Sequence, residues 1–142
     1  MARHLAKIYF DAATAGNPGE SVGAVIIVND DERLVFEQYL GELDNHSAEW
    51  ATFDFALSCA LEHNVSNALV FTDSKLIEDS MNQEAVKNEK FKHYYSQIMT
   101  KAPMFELMFV KWVPRAQNKE ANHYAQQALY KMVTQSKRRK SK

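Results

Sequence analysis

The chain has 142 residues and a formal net charge of −1, a length that suits one domain and is too short for two. Hydrophobic residues make up 46% and charged residues 25%, as in an ordinary soluble globular protein. No apolar run approaches the roughly 18 residues of a membrane span, and the first residues lack the apolar core of a signal peptide. The single cysteine, Cys59, excludes an internal disulfide, so a cytoplasmic location is expected.

The first half of the chain predicts a three-stranded meander followed by a helix. Alternating or β-branched apolar residues predict strands at 7–11, 22–28 and 33–41. Short turn-forming segments separate them, which indicates antiparallel pairing. From Ser47, a predicted N-cap, apolar residues recur at helical spacing until Asn64.

The second half alternates between strands and helices. Strands are predicted at 68–72 and 105–113, and helices at 74–81, 89–100 and 119–134. The whole order predicts an α/β fold with a mixed five-stranded sheet, three antiparallel strands followed by parallel strands, flanked by helices. We expect one domain over residues 1–134. Residues 135–142 form a basic tail, predicted to be disordered, which either attracts phosphates or only aids solubility.

Three acidic residues occupy positions where a site is expected. Asp11 is predicted at the end of the first strand, Glu49 in the first turn of the long helix and Asp73 at the end of the fourth strand. Ligands of open α/β sheets bind at the carboxyl ends of the strands. Carboxylates without cysteine or histidine partners favour Mg²⁺ or Mn²⁺, and a pair of such ions can promote phosphodiester hydrolysis.

Each of these acids also has a purely structural interpretation. Asp11 suits a strand-to-turn position, Glu49 could interact with the helix dipole and Asp73 could cap the next helix. The joint placement of all three favours a functional site over three unrelated structural roles.

Four sequence segments together resemble the motifs of type 1 ribonucleases H, in the same order. They are YFDAATAGNPG at 9–19, NHSAE at 45–49, FTDS at 71–74 and VPRAQNKEA at 113–121. The resemblance extends over residues 7–129, nearly the whole chain. It implies a ribonuclease H-like fold, in agreement with the predicted order of elements.

The resemblance also implies an activity and a set of site residues. Enzymes of that family cut the RNA strand of RNA–DNA hybrids with four carboxylates and two Mg²⁺ ions. Asp11, Glu49 and Asp73 match three of the four carboxylate positions. The positions that match nucleic-acid contacts, or lie close to the site, are Asn17, Asn45, Ser74, Arg115 and Asn118.

The chain departs from the family at the fourth carboxylate, where it has Asn122. An amide keeps the shape of a carboxylate but loses its charge, so the second ion is expected to bind more weakly. Glu120 lies two helical positions away, on a different face, and is a poor substitute. Trp112 stands where the family often has a catalytic histidine. We interpret Trp112 as a strand-end core residue and Arg115 as the candidate replacement for the histidine.

These observations support three hypotheses about function. The first is a metal-dependent endonuclease that hydrolyses the RNA strand of RNA–DNA hybrids, with activity weakened by Asn122. The alternative is a catalytically silent ribonuclease H-like module that binds nucleic acid. A protein-interaction domain with relic acids is disfavoured, because Asn17, Asn45 and Ser74 are retained beside the three acids.

Overall fold

The computed structural model describes the backbone of residues 5–140 and the side chains of residues 5–135. Within this part of the chain there are five strands, four α-helices and two short 3-10 turns. In chain order they are β1 (Leu5–Gly16), β2 (Gly19–Asn29), β3 (Glu32–Leu43), α1 (Asn45–Glu62), β4 (Asn67–Thr72), α2 (Lys75–Gln83), α3 (Glu89–Lys101), a 3-10 turn (Ala102–Met104), β5 (Leu107–Trp112), a second 3-10 turn (Arg115–Gln117) and α4 (Lys119–Lys140).

The five strands form one mixed sheet in the order β3-β2-β1-β4-β5. β1 pairs with β2, and β2 with β3, in antiparallel orientation. β1 pairs with β4, and β4 with β5, in parallel orientation. The predicted fold class is therefore confirmed.

The first strand is longer than its sequence pattern predicted. Its residues from Asp11 to Gly16 remain paired with β2, so the expectation that Asp11 ends the strand is wrong. The parallel pairing between β1 and β4 does end close to Asp11, at Tyr9 and Phe71. Asp11 therefore lies where the two central strands separate, although its own strand continues.

Helix α1 packs closely against one face of the sheet. Ile8 and Phe10 of β1 lie in the main core with Trp50 of α1. A Cβ atom on Gly23 of β2 would lie only 2.4 Å from the Oγ1 atom of Thr52 on α1. Because glycine has no Cβ, the helix can approach the sheet closely at this point. This contact sets the distance between α1 and the sheet.

Helix α4 covers part of the opposite face of the sheet. Ala13 and Ala24 of the sheet form a second core with Ala125 and Leu129 of α4. Side chains alternate between the two faces of a strand, so Asp11 points to the same side as Ala13. The small residues at this contact let α4 lie close to Asp11.

The helix boundaries correct two details of the predicted site. Asp44, rather than Ser47, caps α1, because its side chain accepts a 3.2 Å hydrogen bond from the Ser47 backbone N–H. Glu49 therefore lies in the second turn of α1, beyond the reach expected for a helix-dipole role. Ser74 caps α2 and accepts from the N–H of Ile77, so Asp73 is not the cap.

The C-terminal helix continues past the predicted domain boundary at residue 134. Its backbone is helical through Lys140, and the final two residues of the predicted basic tail lie outside the described residues. Among the helices at residues 5–140, none is both long and apolar enough to cross a membrane.

Candidate active site

Three carboxylates from three different elements meet at one place. Asp11 of β1, Glu49 of α1 and Asp73 after β4 each offer an oxygen atom, and these atoms all lie within 4.8 Å of one another. The structure thus brings together the three acids that the sequence singled out. They lie in a cleft of about 350 Å³, here called the acid cleft, lined by Asp11, Ala12, Ala13, Thr14, Asn45, Glu49, Asp73, Arg115 and Gln126.

Glu49 is the most strongly perturbed acid of the cleft. Burial raises the pKa of its carboxyl well above the ordinary value, and the nearby charges of Asp11 and Asp73 add to the increase. The backbone N–H of Ala12 opposes this shift only in part. The Oε2 atom of Glu49 is buried and has no hydrogen-bond partner. The hydrogen bonds of the protein therefore do not offset the cost of burying Glu49 in its charged form.

Asp73 is perturbed in the same direction by its surroundings. Burial raises the pKa of its carboxyl, and the charge of Asp11 raises it further. A hydrogen bond from Asn118 and the positive charge of Arg115 lower the same pKa. Burial is the larger cause of both raised pKa values and the charge of Asp11 adds to each, so a divalent cation would stabilise the ionised carboxylates.

The raised pKa of Glu49 predicts how the metal-free protein responds to pH. Between the ordinary value of 4.5 and the raised one, the folded protein holds a proton that the unfolded chain has released. The free energy of unfolding should therefore fall as pH rises, by up to about 1.4 kcal/mol per pH unit. Urea unfolding in a chelator from about pH 5 to about pH 8 should show a shallower fall for Glu49→Gln than for the wild type. Equal slopes would contradict this prediction.

Asn122 occupies the place next to Asp11 that the fourth carboxylate was expected to fill. Its amide Nδ2 donates a 2.8 Å hydrogen bond to the Oδ2 atom of Asp11. The other oxygen of Asp11, Oδ1, accepts a 2.9 Å bond from the backbone N–H of Ala12. Glu120 points elsewhere and forms an ion pair with Arg33 of β3, as expected for a different helical face.

Thr14 and Asn45 line the acid cleft and form a polar network with Asn17 beside it. The Oδ1 atom of Asn17 accepts a 3.0 Å bond from the backbone N–H of Asn45. The Oδ1 atom of Asn45 accepts a 2.5 Å bond from the hydroxyl of Thr14. Both asparagines are exposed. Sequence reasoning missed Thr14, because the predicted strand ended before it.

The remaining predicted nucleic-acid contacts differ in their accessibility. Arg115 is exposed and lines the acid cleft, and Ser74 is half-buried at the start of α2. Asn118 is only 2% exposed, and its amide donates to the Phe10 carbonyl and to Asp73. Its side chain therefore faces the protein interior and offers almost no surface to a ligand.

Trp112 lies at a strand end, as the sequence predicted, but the expectation that it is a core residue is wrong, because it belongs to neither buried cluster. It is the last residue of β5 and is half-buried. Its backbone N–H donates to Glu78 at 2.7 Å, and its indole N–H donates to the Asp73 carbonyl at 3.3 Å. Trp112 thus supports the backbone that carries Asp73. Gln126 is a further cleft residue that sequence reasoning missed, since a single glutamine on a helix carries no signal.

Comparisons with known proteins agree with this fold and site. A family model described as reverse transcriptase-like matches residues 9–128. The EbsB protein of Enterococcus faecalis is 36% identical over 135 residues, which cover 94% of this chain and 100% of the relative. The bifunctional protein Rv2228c of Mycobacterium tuberculosis is 32% identical over 123 residues, which cover 84% of this chain but only 34% of the relative.

Solved structures share the architecture over almost the full chain. The N-terminal RNase H domain of Rv2228c matches with a TM-score of 0.85 at 26% identity, covering 94% of this chain and 99% of that one. RNase H1 of Halobacterium salinarum matches with a TM-score of 0.84 at 25% identity, covering 89% and 98%. The chain therefore belongs to the reverse transcriptase-like family and has the ribonuclease H-like fold of type 1 ribonucleases H.

Proposed function

We propose that this protein is a metal-dependent endoribonuclease that hydrolyses the RNA strand of RNA–DNA hybrids. The observation that carries the proposal is the convergence of Asp11, Glu49 and Asp73 within 4.8 Å. The four sequence motifs and the shared fold with ribonuclease H1 of Halobacterium salinarum support the same reaction class.

The residues of the acid cleft fit Mg²⁺ or Mn²⁺. Asp11, Glu49 and Asp73 supply only oxygen atoms, which hard cations prefer. The buried Oε2 atom of Glu49 has no hydrogen-bond partner, so a cation would satisfy it. When bound, such ions lower the pKa of an attacking water and stabilise the leaving oxygen of a phosphodiester.

Asn122 is the reason to expect that two ions would bind with different affinities. Its amide N–H donates to the Oδ2 atom of Asp11, which would reduce the capacity of Asp11 to bind cations. The amide brings no negative charge to the cleft. We therefore expect two ions, the second of which is held more weakly than the first.

The chain's own residues would bind and orient the hybrid beside the acid cleft. Asn17 and Asn45 are exposed there and are linked by a hydrogen bond, and amides of this kind can contact ribose hydroxyls. Arg115 places an exposed positive charge beside the cleft and would attract a phosphate. The Ser74 hydroxyl accepts from Ile77 and still has a hydrogen to donate.

A panel of labelled duplexes tests this proposal. With Mg²⁺ or Mn²⁺, the wild-type protein should cut the RNA strand of an RNA–DNA hybrid and leave its DNA strand intact. Duplex DNA should remain uncut, because it lacks the 2′-hydroxyl that separates RNA from DNA. A chelator should abolish cleavage. Equal cutting of duplex DNA, or cleavage that resists the chelator, would contradict the proposal.

One observation favours a second candidate, a silent module that binds nucleic acid. Asn122 replaces a charged ligand, and its amide donates to Asp11 at 2.8 Å, which disfavours the second ion. A mobility-shift assay on the same duplexes distinguishes the two functions. A silent module would bind the hybrid and slow its migration, without cutting it in the presence of either metal.

A further inference from the structure

Asn118 makes two hydrogen bonds from inside the protein, close to the acid cleft. Its Nδ2 atom donates to the Phe10 carbonyl at 2.8 Å and to the Oδ2 atom of Asp73 at 3.1 Å. A primary amide has two N–H groups, so both of its donors are used. The two acceptors belong to β1 and to the segment that follows β4.

The position of these acceptors explains why a bridge is needed there. Parallel pairing of β1 with β4 ends at Tyr9 and Phe71, and β4 itself ends at Thr72. Phe10 and Asp73 therefore lie just beyond the last paired residues, where the strands separate and the cleft opens. Asn118 spans this gap with a side chain instead of a backbone hydrogen bond.

The side-chain amide of Asn118 is oriented by its two N–H donors and not by its oxygen atom. The Oδ1 atom is buried and has no hydrogen-bond partner, which is unfavourable for a polar group. Rotating the amide by half a turn would place Oδ1 against the oxygen atoms of Phe10 and Asp73. Hydrogen-bond acceptors would then face each other. Only the observed orientation therefore lets the amide bond to both the Phe10 carbonyl and the Asp73 carboxylate.

Asn118 also connects α4 to these two strands. Its backbone carbonyl accepts a 3.2 Å hydrogen bond from the backbone N–H of Asn122 in the first turn of α4. The side chain of Asn122 in turn donates to Asp11. One buried residue thus links β1, the end of β4 and the start of α4.

We propose that Asn118 is a positioning residue that holds Asp73 against β1 and so fixes the spacing of the metal ligands. It replaces the nucleic-acid contact that the sequence suggested at this position. The inference rests on the proposed function only for its effect on metal binding. The positioning itself does not require a metal.

Asn67, on the strand that leads to Asp73, provides a matched control. It is the first residue of β4, is 6% exposed and also has a buried Oδ1 atom without a partner. It lies at the end of β4 that is remote from Asp73. We compare Asn118→Asp with Asn67→Asp, because aspartate keeps the size of asparagine and removes both N–H donors. Asn118→Ala, which removes the donors without adding a charge, is measured beside Asn118→Asp and takes its place if that variant does not fold.

Backbone hydrogen exchange of the metal-free proteins tests the positioning directly. Asn118→Asp should raise exchange at residues 72–75 by roughly tenfold or more relative to the rest of the sheet, as expected when a charge-assisted bond is lost. Asn67→Asp should leave the exchange at those residues, relative to the sheet, as in the wild type. Equal profiles for the two variants would overturn the proposal.

Calorimetric titration with Mn²⁺ tests the consequence for the site. Asn118→Ala should weaken Mn²⁺ binding by about 10- to 100-fold, the usual effect of removing a group that orients a metal ligand. Asn118→Asp also adds a negative charge beside the ligands, so the alanine variant decides this test. Asn67→Asp should bind as the wild type does. Unchanged affinity in Asn118→Ala would overturn the effect on the ligands. A wild type that binds no Mn²⁺ would instead contradict the proposed function, and the exchange comparison would still decide the role of Asn118.

Discussion

Asn122→Asp should increase Mg²⁺-dependent cleavage of an RNA–DNA hybrid by roughly tenfold or more. The amide of Asn122 donates to the Oδ2 atom of Asp11 at 2.8 Å. A carboxylate at this position would remove the donor, add a negative charge and release Asp11 to bind a cation. Mn²⁺ titration should therefore show a second ion with higher affinity than in the wild type.

The same substitution should have opposite effects on stability with and without metal. In a chelator, the lost hydrogen bond and the added repulsion should lower the free energy of unfolding by about 1–3 kcal/mol. In Mn²⁺ the difference should shrink or reverse, because ligand binding stabilises the folded state. Thermal unfolding in both conditions measures this change.

His123→Asp is the matched control for the added charge. His123 is exposed and adjacent to Asn122 on α4, so the variant adds an acid to the same helix outside the cleft. It should cleave the hybrid at the wild-type rate. If Asn122→Asp binds the same number of ions and cuts no faster than His123→Asp, the role assigned to Asn122 is wrong.

Most of the fold was predictable because its elements have clear periodicity. The buried strands β2 and β4 and the helix α1 carry strong apolar patterns, and their order defines the mixed sheet. The extension of β1 to Gly16 was not predictable. Residues 12–15 are small and do not alternate, and only their pairing with β2 makes them a strand.

Helix capping illustrates another limit of sequence patterns. The segment from Asp44 to Ser47 contains several residues that can cap a helix. The structure selects Asp44, which also forms an ion pair with Lys90 of α3 at 2.9 Å. That long-range contact is not visible in the local sequence.

The candidate site was predictable to different degrees at different residues. Asp11, Glu49 and Asp73 stood out because all three belong to matching motifs. Asp11 and Asp73 were predicted at strand ends and Glu49 near the start of a helix. The burial of Asn118 was not predictable, because it directly follows the exposed 3-10 turn Arg115–Gln117 in a polar stretch of sequence. The sequence also predicted a missing charge at Asn122, but not the direction of its amide, which depends on the position of Asp11.

Cleavage of a labelled RNA–DNA hybrid by the wild type and by Asp11→Asn, in Mg²⁺ and then in Mn²⁺, tests the central claim most directly. An asparagine at position 11 can still accept the N–H of Ala12, as Asp11 does at 2.9 Å, so the local backbone should be preserved. It removes one of the three charges that would hold the cation. We expect the wild type to cut the RNA strand and the variant to be slower by on the order of a thousandfold. Equal rates for the two proteins, or no cleavage by the wild type in either metal, would contradict the account.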